Sequence, residues 1–153
     1  LYPKPWNKLS AILTKEIGPE IKNPNSKANP VTLCFVAIFK NEEKNVDRCL
    51  DSVTRIADFV HIVDTGSTDK TIEKIKEWGA RSGIPTSVAE RKFDNFGDSR
   101  THSFESAQKA FPHATYALLI DADMILKIEK DFDKQLLTMD KYQINQKSSA
   151  CQY

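Results

Sequence analysis

The chain has 153 residues, enough for one domain that buries roughly two-thirds of its unfolded surface. Its 22 basic and 21 acidic residues leave a formal charge of +1, which gives no electrostatic basis for binding nucleic acid or an anionic membrane. No apolar run approaches the ~20 residues of a transmembrane segment. The three cysteines, Cys34, Cys49 and Cys151, lack metal-ligand spacing and read as reduced structural thiols, so an intracellular, cytoplasmic setting is expected. A chain that begins at Leu1 is expected to be an excised piece, and any targeting segment would then lie outside it.

Residues 1–30 read as a helical extension and linker. Leu9, Ile12, Leu13 and Ile17 fall at helical spacing, and a polar, Pro-punctuated stretch follows from Gly18 to Pro30. VTLCFVAIF, from Val31 to Phe39, is a continuous β-branched and aromatic run, as expected of a central strand buried on both faces. Lys40-Asn41-Glu42-Glu43 ends it. Val46, Cys49, Leu50, Val53, Ile56 and Ala57 mark one helix face, with Asn41 as the expected cap.

A second strand is predicted over Phe59–Val63, followed by the turn Asp64-Thr65-Gly66-Ser67. That tetrapeptide is the signature of an aspartic protease loop. Such an enzyme needs two loops so that two carboxylates share a proton, and this chain holds one. The next residues, with Ile72, Ile75 and Trp78 apolar and Gly79 as the expected stop, predict a helix instead. Asp69 reads as a helix cap or turn former. A third strand falls within Pro85–Glu90. The loop Lys92–Asp98 carries Phe93 and Phe96, which line a sugar pocket or pack in the loop, and it leads into a helix with Phe104, Ala107 and Phe111 on one face. Tyr116–Ile120 is a further short strand, running directly into Asp121-Ala122-Asp123. Phe132–Met139 is expected to be helical and Tyr142–Tyr153 extended.

Alternating strands and helices imply a parallel α/β sheet, in which ligands bind beyond the carboxyl ends of the strands. Three polar clusters follow directly on strands: Asn41-Glu42-Glu43, Asp64 to Asp69, and Asp121-Ala122-Asp123. In extended backbone the side chains at i and i+2 share a face, so Asp121 and Asp123 are expected side by side, repelling unless a cation intervenes. Mg²⁺ or Mn²⁺ suits such oxygen ligands and completes its shell with a diphosphate. Phosphatases of the haloacid-dehalogenase type also use Asp-x-Asp after an apolar strand, but early in the chain and followed by different residues. A phosphate-cradling P-loop is excluded because Gly66 to Thr71 holds one glycine and an acid where anions would sit.

Four segments, FVAIFKNEEKNVDRCLDSV, ADFVHIVDTGSTDKT, NFGDSR and YALLIDADMIL, stand in an order and spacing similar to those of family 2 glycosyltransferases with the GT-A fold. The likeness runs from Val31 to Leu126 and is nearest to the bacterial-type branch whose first strand ends in Lys-Asn-Glu-Glu. It implies a nucleotide-sugar-binding core over 31–126 and the start of an acceptor-side region over 127–153, expected to be truncated. It further implies that Ile38, Phe39 and Lys40, largely by backbone, hold the nucleotide base with Asp64, and that Glu42 assists at base or ribose. Asp121 would reach ribose or metal, and Asp123 would ligate the Mn²⁺ or Mg²⁺ that bridges the donor's diphosphate. Arg100 stands where the family often places an arginine against the donor's phosphates, although Thr101 replaces the asparagine that often follows. His102 is assigned no role.

The implied reaction is metal-dependent transfer of a sugar, with inversion, from a nucleotide-diphosphate sugar to an acceptor hydroxyl. Uridine is the favoured base, and the acceptor is a glycan, lipid or protein. A general base is required, and Glu129, Asp131, Asp133 and Asp140 are the acids available downstream, none matching a family motif. Two alternatives stay open: a non-catalytic nucleotide-sugar-binding module, and a sugar-phosphate nucleotidyltransferase, whose glycine-rich basic loop after the first strand is missing.

Overall fold

A computed structural model describes residues 7–11, as backbone, and residues 30–145. Six strands form one sheet in the order β4-β3-β2-β5-β1-β6, and every ladder in it is parallel. The strands are β1 (Asn7–Ala11), β2 (Leu33–Phe39), β3 (Phe59–Asp64), β4 (Thr86–Glu90), β5 (Tyr116–Leu119) and β6 (Tyr142–Ile144). The helices are α1 (Val46–Val53), α2 (Thr71–Ser82) and α3 (Phe96–Ala110). Among the described residues, no helix is long and apolar enough to cross a membrane.

β2 lies between β3 and β5, which explains its unbroken apolar sequence. Leu33, Phe35, Ala37 and Phe39 join the larger core, with Val46, Leu50 and Val53 of α1 and Ile75 and Trp78 of α2. The alternate residues Cys34 and Val36 meet Phe104 and Ala107 of α3 in a second core on the opposite face. The strand's period of two thus divides the helices into two layers. Cys34 and Cys49 are free thiols, both buried.

Several boundaries differ from those expected. Gly79 lies inside α2, which ends at Gly83 in the left-handed conformation at φ 72°. Gly79 is instead a contact point, since a Cβ there would stand 2.9 Å from Thr86 Cβ and Oγ1 on β4. The cap of α1 is Asn45 rather than Asn41, which adopts φ 52° in the turn before the helix. The stretch expected to be helical around Phe132–Met139 holds a single 3-10 turn, Lys134–Leu136. Side-chain bonds to backbone, one pair of them long-range, override helix propensity there. Gln135 accepts from Val31 N at 2.7 Å and donates to Val31 O at 2.9 Å, while Tyr142 Oη accepts from Thr138 N and Met139 N.

The expected N-terminal helix is also corrected where it can be compared. Residues 7–11 pair with β5 on one side and β6 on the other, so sheet hydrogen bonding wins over the helical spacing of apolar residues. Ile12, Leu13 and Ile17 lie outside the described residues, as does the strand expected beyond residue 145, with Cys151.

Candidate active site

Because the strands are parallel, Phe39, Asp64, Glu90 and Leu119 end on one edge of the sheet. A cavity of about 310 Å³ opens there between β2, α3 and the segment after β5. Val36, Ala37, Ile38, Lys40 and Glu42 form one wall, Phe93, Phe96, Arg100 and Ser103 a second, and Leu119, Ile120 and Asp121 a third, with Thr65 between. The deep part is apolar and the charged groups stand around it, the usual composition of a small-molecule site.

Five of the residues expected at the site, Ile38, Lys40, Glu42, Arg100 and Asp121, line this cavity. Phe39 does not; its side chain is fully buried in the larger core, and its carbonyl accepts from Thr65 N at 3.0 Å and Thr65 Oγ1 at 3.3 Å. Asp64 is 1 % exposed and outside the lining. One of its carboxylate oxygens accepts from Gly66 N at 3.0 Å and Ser67 N at 2.8 Å, and the other accepts from the Ser67 hydroxyl. This carboxylate closes its own turn, in which Gly66 takes φ 100°. A protease dyad needs an open carboxylate that shares a proton, which Asp64 is not.

The first two polar clusters are laced to each other. Asn41 N donates to Ser67 Oγ at 2.9 Å, and Thr68 N donates to Asn41 Oδ1 at 2.8 Å. Glu42 N donates to Thr71 Oγ1, Glu43 N to Asp69 Oδ2, and Lys70 N to Glu43 Oε2. Hydrogen bonds from Thr71 come first among the causes that hold Asp69 below the usual carboxylate range. Asp69 is therefore the turn former expected from the sequence. Much of the polarity of these clusters satisfies turn backbone, and Glu42, held by Asn45 Nδ2 at 2.7 Å, is their acid that faces the cavity.

The Asp121-Ala122-Asp123 segment is a turn rather than extended chain. β5 ends at Leu119, and Met124 N donates to Asp121 O at 3.0 Å. The argument that i and i+2 share a strand face therefore does not apply: Asp121 lines the cavity, and Asp123, also exposed, stands outside its lining. α1 supports the turn from beneath. Arg48 Nη2 reaches Asp123 O at 3.4 Å, and Cys49 Sγ lies 3.8 Å from Asp121 O. Burial pushes the Cys49 thiol up to about 12; Arg48 opposes this, and Asp123, Glu42 and Asp121 add to it, so the thiol stays protonated.

Among the described residues, no group of three or more His, Cys, Asp or Glu side chains is arranged to hold a metal. The turn offers two carboxylates. That donor set fits a hard cation such as Mg²⁺, which is held by one or two protein carboxylates and takes its other oxygens from phosphate and water. It does not fit a closed structural site.

The profile of Glycosyl transferase family 2 matches residues 34–145, spanning the cavity and all three polar clusters. The chain belongs to that family. Among solved structures, the chain is similar to S. aureus TarS 1-349 in complex with UDP, at 20% identity and TM-score 0.50, covering 61% of this chain and 28% of that one. It is also similar to a second structure of S. aureus TarS 1-349, at 20% identity and TM-score 0.46, covering 62% and 28%. The chain thus spans little more than a quarter of the length of these relatives. No curated protein matches it in sequence. The architecture is the α/β, mainly parallel sheet of the GT-A type.

Sequence reasoning did not single out Thr65 or Ser103 as cavity residues. Ser103 follows Arg100 by one helical turn, so the periodicity of α3 was the available signal. Thr65 was hidden beside the more conspicuous Asp64. The downstream acids stand outside the cavity lining, and Asp133 caps the 3-10 turn by accepting from Gln135 N at 2.9 Å.

Proposed function

We propose that this domain binds a nucleotide-diphosphate sugar, with UDP as the favoured nucleotide, and that the protein containing it transfers the sugar to an acceptor hydroxyl with inversion. The reading rests on family membership and on one observation: a cation, Arg100, and an acid, Asp121, 3.5 Å apart in an apolar-walled cavity at the carboxyl edge of a parallel sheet. The donor carries a flat base, a ribose and two phosphates, and the cavity offers matching chemistry. Arg100 and Lys40 neutralise phosphate charge, Glu42 and Asp121 accept from ribose or base hydroxyl and N–H groups, and β2 supplies an apolar wall.

Asp121 and Asp123 would hold Mg²⁺ or Mn²⁺, which when bound supplies Lewis-acid stabilisation of a departing diphosphate. Arg100 adds fixed positive charge where negative charge develops. In this reading Asp64 acts through the turn it closes, holding Thr65 at the cavity, and Phe39 acts through backbone alone. The acceptor, a glycan, lipid or protein, supplies the attacking hydroxyl.

Calorimetric titration of UDP and GDP, with and without Mn²⁺, tests the proposal. Expected is UDP binding strengthened by Mn²⁺ and loss of that increment in Asp123→Ala. Metal-dependent affinity unchanged in the variant would remove Asp123 from its role, and absence of any nucleotide binding would refute the reading.

A further inference from the structure

Phe96 is 74 % exposed and Phe93 is 38 % exposed, yet both line the cavity. Their rings meet edge to face, with centroids 5.4 Å apart at 80°. The segment that carries them is braced rather than loose. Asn95 caps α3, its Oδ1 accepting from Asp98 N at 2.8 Å and its Nδ2 donating to Asp98 Oδ2 at 2.6 Å, and Arg91 pairs with Asp94 at 3.4 Å. Even with Phe93 against its edge, a phenyl ring held this open leaves most of its apolar surface in water at a ligand cavity.

Phe96 stands one helical turn before Arg100, on the wall that faces Val36 and Ile38 of β2. Phe96, Val36, Ile38 and Arg100 all line the one cavity, so apolar side chains and a cation border the same space. A planar base fills such a space through its faces and leaves its phosphates beside the guanidinium. A pyranose also has an apolar C–H face, but its rim of hydroxyls needs polar partners, which Val36 and Ile38 do not supply. We infer that Phe96, buttressed edge-on by Phe93, is the stacking platform for the donor's nucleobase and closes the open side of the cavity. This rests on the nucleotide-sugar reading above and adds a residue to it.

The test titrates the full chain and its Phe96→Ala and Phe96→Trp variants with UDP, UMP, a UDP-sugar and inorganic pyrophosphate. Because Phe96 is mostly in water, the variants are expected to melt as the parent does. Phe96→Ala should weaken UDP and UMP alike, by about tenfold, the scale of one base-aromatic stack. It should leave pyrophosphate unchanged, and Phe96→Trp should recover UDP affinity. Unchanged UDP affinity in Phe96→Ala overturns the inference while leaving the nucleotide-sugar reading intact. So does a loss confined to the UDP-sugar, which would place the ring against the sugar, or an equal loss for pyrophosphate. A parent chain that binds none of the nucleotides overturns both.

Discussion

Arg100 Nη2 lies 3.5 Å from Asp121 Oδ1, joining α3 to the turn after β5 across the cavity that both residues line. Their side chains are 43% and 59% exposed, so the pair adds no more than about 1 kcal/mol to stability. Such a weak pair is easily exchanged: a cation at Asp121 would release the guanidinium to a phosphate. Arg100→Ala should shift Tm by no more than about 3 °C yet weaken UDP binding by about tenfold or more, as expected for a charge-assisted contact. Melting curves and titration of the same preparation check both halves; a large fall in Tm would make Arg100 structural.

Asp64 should behave in the opposite way. Its carboxylate accepts from Gly66 N, Ser67 N and the Ser67 hydroxyl while 1 % exposed. Asp64→Asn replaces one acceptor with a donor, and the turn is expected to lose about 1–3 kcal/mol. Thermal unfolding should show a clear drop in Tm, accompanied by weaker UDP binding as Thr65 loses its position. Full stability in the variant would contradict the turn-closing role.

Gly79→Ala tests the contact of α2 with β4. Alanine gains roughly 1 kcal/mol in helix propensity, but its Cβ would stand 2.9 Å from Thr86 Cβ, an atom fixed to the strand. Overpacking costs about 1–3 kcal/mol, so net destabilisation is expected in urea unfolding. A more stable variant would show that the helix shifts freely.

His61 should impose a pH dependence on stability. It is 1 % exposed on β3, with Nε2 2.7 Å from Ser106 Oγ and no hydrogen-bond partner at Nδ1 among the described residues. Burial, and secondarily the charge of His102, lowers its pKa from 6.5 to about 4. The unfolded chain takes up this proton near pH 6.5, whereas the native state does so only near pH 4. The contribution is therefore complete above pH 6.5 and lost as pH falls toward 4, with an upper bound of roughly 3 kcal/mol. Denaturant unfolding across that interval should fall more steeply for the parent than for His61→Gln; parallel profiles would show that His61 protonates without cost.

Much of this fold could be read from residue patterns. The buried run of β2, the apolar face of α1 and the strand before Asp121 each carry a signal set by local burial, and each was found within a few residues. The misread elements depend on partners distant in sequence: β1 on its neighbours β5 and β6, and the 3-10 turn on the Gln135–Val31 exchange. At the site, the polar clusters after the strands pointed to the carboxyl edge and Asp121, and the family resemblance pointed to Arg100; both residues line the cavity. Residue type did not reveal that Asp64 and Asn41 serve the turns, because a carboxylate bonded to backbone and one open to a ligand look alike in sequence. The exposure of Phe96 was equally invisible.

The central claim is that a nucleotide diphosphate lies between β2 and α3 with a cation at the turn after β5. A crystal structure of the domain grown with UDP and MnCl₂ tests it most directly. The account predicts an anomalous peak beside the Asp121 and Asp123 carboxylates and the diphosphate, with the base between Ile38 and Phe96. UDP bound elsewhere, or ordered UDP in the cavity with no manganese peak at that turn, would contradict it.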